Sequence, residues 1–221
     1  MTIKVCGMRQ ADNILEVENL GVDLIGFIFY PPSPRFVSEK PAYLPMRAKR
    51  VGVFVDAGTD FILSHTNDYQ LDFIQLHGKE TPTACKELKR LMPNIKIIKA
   101  FSISDRQSIL QTTDYEGAAD CFLFDTATRL KGGSGQVFDH CLLDNYRGHI
   151  PFLLSGGLSL ENQPQTMTIR HPMLIGYDLN SRVETLPAVK DTAKLRQYLA
   201  NLCAQAETVI PEQSKQKTIQ P

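Results

Sequence analysis

Short runs of apolar and β-branched residues recur along the chain at nearly regular intervals. Eight such runs occupy positions 3–7, 24–29, 51–55, 73–77, 95–101, 121–125, 152–156 and 174–178, and their starts lie 21 to 31 residues apart. This spacing is longer than that of β-hairpins and is typical of strand–helix–strand units. Most of the runs are almost continuously apolar, as expected for parallel strands that are buried on both faces.

The segments between these runs mostly carry a helical pattern. Residues 12–20, 81–92, 138–146 and 189–202 are amphipathic at helical spacing. The second of these segments begins with Thr81-Pro82, a capping residue followed by a first-turn proline. Pro41 and Pro45 interrupt the segment after the second strand, so we expect no long helix there.

Eight strand–helix units in 221 residues predict a single small (β/α)8 TIM barrel, which is an α/β fold. A doubly wound open sheet is the alternative, but its first strand is usually followed by Gly-x-Gly-x-x-Gly, and this chain has Cys6-Gly7-Met8-Arg9. We therefore assign residues 1–206 to the barrel. Residues 207–221 are polar, without an aromatic side chain, and are expected to form a frayed tail.

The composition restricts the classes of function. The 24 Lys and Arg residues balance the 24 Asp and Glu residues, so the chain lacks the positive charge of a nucleic-acid-binding protein. No apolar run approaches the ~20 residues of a membrane span. The five cysteines include no Cys-x-x-Cys pair and indicate reduced thiols, and His65, His140, His149 and His171 lack metal-ligand spacing. We expect a cytoplasmic protein without a metal, a nucleic-acid partner or a membrane partner.

Polar residues collect at the carboxyl ends of the predicted strands, where active sites of this fold lie. Because alternate residues of a strand share a face, Lys4 with Cys6, Gln75 with His77, Cys121 with Asp125 and Gly176 with Asp178 are expected to point into the barrel. Cys6 and Asp125 then face each other as a candidate base and acid, and Lys4 is expected to lower the pKa of the thiol. Cys6 also fits a small core residue, and His77 also fits a hydrogen-bonded strand-end histidine.

The loops after the seventh and eighth strands contain candidate phosphate ligands. Gly156 and Gly157 allow backbone N–H groups to approach a phosphate, and Asn180-Ser181 follows the neighbouring strand. Arg35, which follows Ser33-Pro34, is suited to a two-point contact with a carboxylate. The glycine-rich residues 131–135 lack the spacing of a phosphate-binding Walker loop and fit either a lid over the site or a plain flexible loop.

The order of these motifs resembles the N-(5'-phosphoribosyl)anthranilate isomerase family. The resemblance covers about residues 3–200 and is carried by positions 4–7, 26–29, 33–35, 51–55, 75–78, 125, 132–135, 155–158, 178–184 and 190–191. It implies a cofactor-free Amadori rearrangement of an aminoaldose phosphate in tryptophan biosynthesis. The partner is then a small phosphosugar, and we expect a monomer or a homodimer.

The resemblance also implies a role for each site residue. Asp125 protonates the ribose ring oxygen, and Cys6 removes the C2' proton. The substrate-binding residues are Arg35 at the anthranilate carboxylate, Asp178 at the sugar, and His77 and Gly133; the phosphate ligands are Gly156, Gly157, Asn180 and Ser181. Two positions depart from the family pattern, namely Arg182 in place of a small residue and Ala188 in place of glycine.

Two other interpretations deserve comparison. Another phosphosugar barrel, such as a ketose epimerase or an indole-glycerol-phosphate synthase, is expected to show metal-binding histidines or an essential lysine. A catalytically silent barrel that binds a sugar phosphate as a sensor would be free to lose its acid and base. The presence of both Cys6 and Asp125 favours the isomerase over these alternatives.

Overall fold

Eight parallel strands close into a barrel in sequence order, which confirms the predicted (β/α)8 fold. The computed structural model describes residues 1–125 and 140–208. The strands are β1 Thr2–Val5, β2 Leu24–Ile28, β3 Lys49–Phe54, β4 Phe73–Leu76, β5 Lys96–Ser102, β6 Cys121–Asp125, β7 Phe152–Ser155 and β8 Leu174–Leu179. The barrel closes where β8 pairs with β1, with Lys4 opposite Asp178.

Helices connect most of the strands. They are α1 Ala11–Glu18, α2 Thr59–Tyr69, α3 Pro82–Leu91, α4 Arg106–Leu110, α5 Gln163–Thr166 and α6 Thr192–Thr208, with 3₁₀ helices Gln111–Tyr115, His140–Asn145 and Ser181–Val183. The predicted cap of α3 is confirmed, because the Thr81 hydroxyl accepts a hydrogen bond from the Ala84 amide at 3.2 Å. The segment predicted at 138–146 is a 3₁₀ helix over its described residues.

The helix predicted over residues 189–202 begins later than expected, so the prediction is wrong for its first residues. Val189–Lys190 forms β10, which pairs antiparallel with β9, Glu184–Leu186. Asn13 holds Lys190 in this extended conformation through bonds of 2.7 and 2.9 Å to the backbone N–H and C=O. Asp191 then accepts bonds from the amides of Ala193 and Lys194, and so caps α6. Tertiary contacts therefore override the amphipathic pattern at these positions.

No helix occurs between β2 and β3, as the two prolines predict. The Glu18 carboxylate at the end of α1 instead holds this segment. It accepts bonds from the Arg47 amide at 2.6 Å and the Ala48 amide at 2.9 Å, and also from the Tyr43 hydroxyl. Although burial opposes the effect, these bonds lower the pKa of Glu18.

Alternate strand residues fill the inside of the barrel, as the predicted parity requires. Leu24, Val51, Ile98, Ala100, Cys121, Leu123 and Leu153 form one buried apolar cluster. In β6, Cys121 and Leu123 belong to this cluster, and the next residue on the same face is Asp125. The apolar interior therefore ends where the polar groups of the carboxyl-terminal mouth begin.

The helix α6 extends to Thr208 and so includes the first two residues of the predicted tail. Residues 209–221 lie outside the described residues, and their expected fraying stays a prediction. Among the helices of the described ranges, none has the length and apolar composition needed to cross a membrane.

We expect Glu18→Gln to lower the free energy of unfolding by about 2 kcal/mol at pH 7, because buried amides would lose a charged acceptor. A lowered native pKa stabilises the fold above the unfolded pKa of ~4.3, and this contribution is lost as the pH falls through the native pKa. Urea denaturation of the wild type and of Glu18→Gln should therefore show a difference in the free energy of unfolding that becomes smaller in acid. Glu16→Gln, on the exposed side of α1, is the control, and equal stability of all three proteins at pH 7 would contradict the prediction.

Candidate active site

Cys6 lies directly after β1 at the carboxyl-terminal mouth, where two neighbouring elements shape its surroundings. Its backbone N–H bonds to the Leu179 carbonyl of β8 at 2.9 Å, and its side chain is buried. A Cβ at Gly26 of β2 would lie 2.8 Å from the thiol sulfur, so this glycine makes room for the thiol. Lys4 and Asp178 form a buried ion pair of 2.9 Å on the same face of their strands.

Burial and the nearby cations have opposite effects on the pKa of Cys6. Burial raises the pKa of the Cys6 thiol, whereas the positive charges of Lys4 and Lys190 lower it, and the net direction is upward. Lys4 therefore lowers the pKa of the thiol as the sequence predicts, but burial outweighs its effect in this protein. Burial also raises the pKa of Asp178, and Lys4 opposes that rise.

Asp125 ends β6 at the same mouth and is partly accessible. Its Oδ2 atom lies 3.7 Å from Nε2 of His77, and the two side chains are 29% and 36% exposed. The Gln75 amide nitrogen lies 2.9 Å from Nδ1 of His77, which fixes the orientation of the ring. The charges of both His77 and Asp125 act on Asp178, which also contacts Lys4. In the closed barrel, β7 and β8 lie between β6 and β1, so Asp178 stands on a strand between those that position the candidate acid and the candidate base.

Arg35 already holds a carboxylate by the two-point contact that its position suggested. That carboxylate belongs to Glu184, whose oxygens lie 2.9 and 3.1 Å from Nε and 2.6 Å from Nη2 of Arg35. A Cβ at Gly7 would lie 2.6 Å from Cδ of Arg35 and 2.9 Å from Oδ1 of Asn180. Gly7 has a φ of +75° and allows both side chains to approach the end of β1.

The candidate phosphate ligands lie in two adjacent loops. Gly156 and Gly157 have φ values of +104° and +66°, and the hydrogen bonds of the described residues include none donated by their amides. The Asn162 side chain donates to the Gly157 carbonyl at 2.8 Å and accepts from the Ser159 amide, which fixes the loop after β7. Ser181 begins the 3₁₀ helix after β8.

The sequence interpretation missed two residues of this site, Glu184 and Lys190. The Lys190 ammonium is fully buried, and it bonds to Oε1 of Glu184 at 2.6 Å and to Oδ1 of Asn180 at 2.8 Å. Both residues lie at positions that carry the family resemblance, 178–184 and 190–191. The local pattern of residues, however, does not distinguish a buried acid from a solvated one. Only the β9–β10 hairpin brings them to Arg35.

The departures from the family pattern lie on this same segment. Ala188 adopts a φ of +68°, the left-handed conformation that glycine accepts without strain, and its amide donates to Glu184 at 3.1 Å. The Arg182 side chain is exposed and its charge acts on Glu161. Gly133, predicted to contact substrate, lies outside the described residues. Within those residues no group of His, Cys, Asp and Glu is placed to bind a metal ion.

Comparisons with known proteins identify the family of the chain. The family model described as N-(5'phosphoribosyl)anthranilate (PRA) isomerase matches residues 3–201. The N-(5'-phosphoribosyl)anthranilate isomerases of Phocaeicola vulgatus and Parabacteroides distasonis are 45% and 43% identical to the chain. Each alignment covers 91% of this chain, and 98% and 93% of the respective relative.

Solved structures give the same result. The crystal structure of phosphoribosyl anthranilate isomerase from Thermotoga maritima is 31% identical, with a TM-score of 0.77, over 92% of this chain and 99% of that one. A phosphoribosyl anthranilate isomerase in complex with reduced 1-(o-carboxyphenylamino)-1-deoxyribulose 5-phosphate is 28% identical, with a TM-score of 0.75, over 92% and 99%. The family model and the two curated relatives together show that this chain is an enzyme of the N-(5'-phosphoribosyl)anthranilate isomerase family.

Proposed function

We propose that this isomerase of tryptophan biosynthesis converts N-(5'-phosphoribosyl)anthranilate to the aminoketose phosphate with Asp125 as general acid and Cys6 as general base. The observation that carries the proposal is that Cys6 follows β1 and Asp125 ends β6 at one barrel mouth, with the strand of Asp178 between theirs in the barrel order. Arg35 and the glycine loop after β7 lie at the same mouth. They supply sites for the two anionic ends of such a substrate.

The first step opens the sugar ring. Protonated Asp125 gives its proton to the ring oxygen, the bond between C1' and that oxygen breaks, and the nitrogen lone pair forms a protonated Schiff base. The accessible position of Asp125 suits this role, because the acid must reach a bound ligand. His77, 3.7 Å away, orients the carboxyl and is available to a sugar hydroxyl.

The second step moves the C2' proton. The Cys6 thiolate removes it, and the C–H electrons form the double bond of an enolamine while the nitrogen becomes neutral. The enol proton then passes to Asp125, and C1' takes a proton from the Cys6 thiol. Asp125 is thereby returned to the acid and Cys6 to the thiolate, so the two steps within the complex exchange no net proton with solvent.

The raised pKa of Cys6 makes its surroundings important. Lys4 and Lys190 favour the thiolate electrostatically. The protonated Schiff base adds a positive charge beside the sulfur in the step that needs the base. We infer that the thiol proton leaves to solvent when the substrate binds, so that the reacting thiolate forms in the complex although burial opposes it in the free protein.

The binding roles follow from the groups left available. Asp178 uses Oδ1 for Lys4, which leaves Oδ2 for a sugar hydroxyl. The N–H groups of Gly156 and Gly157 and the Asn180–Ser181 turn suit the phosphate. We assign the anthranilate carboxylate to Arg35. The role of Gly133 in substrate binding stays a prediction.

We also propose a cytoplasmic location and a monomer or homodimer. Cys6, Cys85, Cys121 and Cys203 are free thiols, which suits a reducing compartment. One structural relative, the isomerase from Thermotoga maritima, is described as dimeric.

Asp125→Asn is expected to lower kcat by roughly 10²–10⁴-fold, because the amide cannot donate the ring-opening proton. The assay generates the substrate in place from anthranilate and phosphoribosyl pyrophosphate and follows the loss of its fluorescence. Asp114→Asn, at an exposed carboxyl outside the site, is the control. Wild-type activity in Asp125→Asn would remove Asp125 from the mechanism. Phosphosugar binding without turnover by the wild type would support the silent barrel instead.

Cys6→Ser is expected to lower kcat by a similar factor, because a hydroxyl is a much weaker acid than a thiol and forms no anion at neutral pH. The affinity for the reduced product analogue, measured by calorimetry, should change by less than about 3-fold. Cys203→Ser, on the exposed face of α6, controls for thiol loss. Full turnover by Cys6→Ser would show that another group is the base.

Alkylation by iodoacetamide should report the raised pKa of Cys6 in the free protein. The unfolded value is ~8.5, and burial shifts the native pKa upward, so the labelling rate of Cys6 should still increase above pH 9. Peptide mass spectrometry can follow Cys6 and the exposed Cys203 in one sample. A midpoint for Cys6 at or below that of Cys203 would mean that the lysines outweigh burial.

A further inference from the structure

We propose that Glu184 is a positioning residue for Arg35 and thereby determines how well the enzyme discriminates a substrate that carries a carboxylate. The inference rests on the proposed role of Arg35 at the anthranilate carboxylate. It concerns the residue that holds the guanidinium in place before substrate binds.

Glu184 is almost fully buried, with 5% of its side chain exposed. Its carboxylate accepts hydrogen bonds from four donor atoms that belong to three residues. Oε1 accepts bonds from Nε of Arg35 at 2.9 Å, the Lys190 ammonium at 2.6 Å and the Ala188 amide at 3.1 Å. Oε2 accepts from Nη2 of Arg35 at 2.6 Å. The carboxylate is therefore held by two groups of its own hairpin, the Ala188 amide and the Lys190 ammonium, independently of Arg35.

This contact uses only one edge of the guanidinium. A guanidinium carries five N–H donors, and Glu184 engages the edge formed by Nε and Nη2. The outer edge, formed by Nη1 and the second N–H of Nη2, bonds to no described residue. That edge presents two parallel N–H groups, which can donate hydrogen bonds to a second carboxylate. Glu184 and a ligand carboxylate can consequently bind Arg35 at the same time.

Without this anchor the guanidinium would have little to orient it. The Arg35 backbone N–H bonds to the Ser33 hydroxyl at 3.1 Å, but the side chain has Glu184 as its hydrogen-bond partner. Loss of the Glu184 charge would also leave Arg35 and Lys190 as two neighbouring cations that disfavour each other. With Glu184 present, the three residues carry a net charge of +1, which suits an anionic ligand.

The opposite role would be competition, in which Glu184 occupies Arg35 and must be displaced by the substrate. The two roles predict opposite effects of removing the charge. Positioning predicts that a ligand carboxylate contributes less to affinity in the variant. Competition predicts that it contributes more.

The test measures the binding of two ligands by calorimetry. One is reduced 1-(o-carboxyphenylamino)-1-deoxyribulose 5-phosphate, and the other is the same compound with a phenyl group in place of the carboxyphenyl group. The ratio of their Kd values isolates the carboxylate contribution, which we expect to be on the order of 30-fold in the wild type. Glu184→Gln is the variant, because the amide preserves the shape of the side chain.

Glu87→Gln is the matched control. Glu87 also makes a two-point contact with an arginine, Arg90, at 2.9 and 2.7 Å, but on the exposed face of α3. Its Kd ratio should equal that of the wild type. This comparison separates the position of the ion pair from the general effect of losing a carboxylate.

We expect the Kd ratio of Glu184→Gln to fall to about 3 or less, while the Kd of the phenyl ligand changes by less than about 3-fold. In turnover, KM should rise about 10-fold with kcat nearly unchanged. A ratio that stays at the wild-type value would mean that Glu184 only stabilises the hairpin, and it would overturn the proposal. A ratio that rises would support competition and overturn it as well.

A second variant protects the test against a failure to fold. Glu184→Asp keeps the charge but withdraws the carboxylate by one methylene, so its Kd ratio should fall between those of the wild type and Glu184→Gln. A ratio equal to the wild type in Glu184→Asp would overturn the proposal if Glu184→Gln is unfolded. Equal binding of both ligands by the wild type would overturn the carboxylate-binding role of Arg35 and this inference with it, but not the isomerase reaction, whereas binding of neither ligand would overturn the proposed function.

Discussion

The ion pair between Lys4 and Asp178 spans the seam at which the first and last strands close the barrel. Both side chains are buried, and neither charge would be stable there without the other. Removal of one partner from a buried pair typically costs about 3–5 kcal/mol, because the remaining charge is left without compensation. Barrel closure and the electrostatics of the site therefore depend on the same contact, since Cys6 lies two residues beyond Lys4 and responds to both charges.

Two groups of polar side chains surround this pair at the mouth of the barrel. Arg35, Glu184 and Lys190 form a connected group on one side, and His77 with Asp125 forms a second group on the other. Lys4 pairs with Asp178, whereas Arg35 and Lys190 share the carboxylate of Glu184. The excess positive charge lies with Arg35 and Lys190, on the side assigned to the anionic ends of the substrate.

Several parts of the fold could be predicted because they depend on local pattern. The strand spacing predicts the barrel, and strand parity predicts that Lys4 and Asp125 face inward. The pattern failed at residues 189–191, where Asn13 imposes an extended conformation, and it did not identify α2, whose apolar face is interrupted by polar residues. Asn13 is distant in sequence from residue 190, and α2 packs Phe61 and Tyr69 against the rings of Phe54, which ends β3, and Phe29, which follows β2.

The sequence by itself determined the order of the strands, the face on which each strand residue lies, the identity of the candidate acid and base, and the family to which the chain belongs. These properties follow from periodicity and from motifs that are contiguous in the chain. Only the tertiary structure decided that burial raises the pKa of Cys6 despite Lys4, and that Glu184 holds Arg35 across 149 positions of sequence. The physical reason is that desolvation and ion pairing depend on the distance between atoms in space, which a local pattern of residues does not specify.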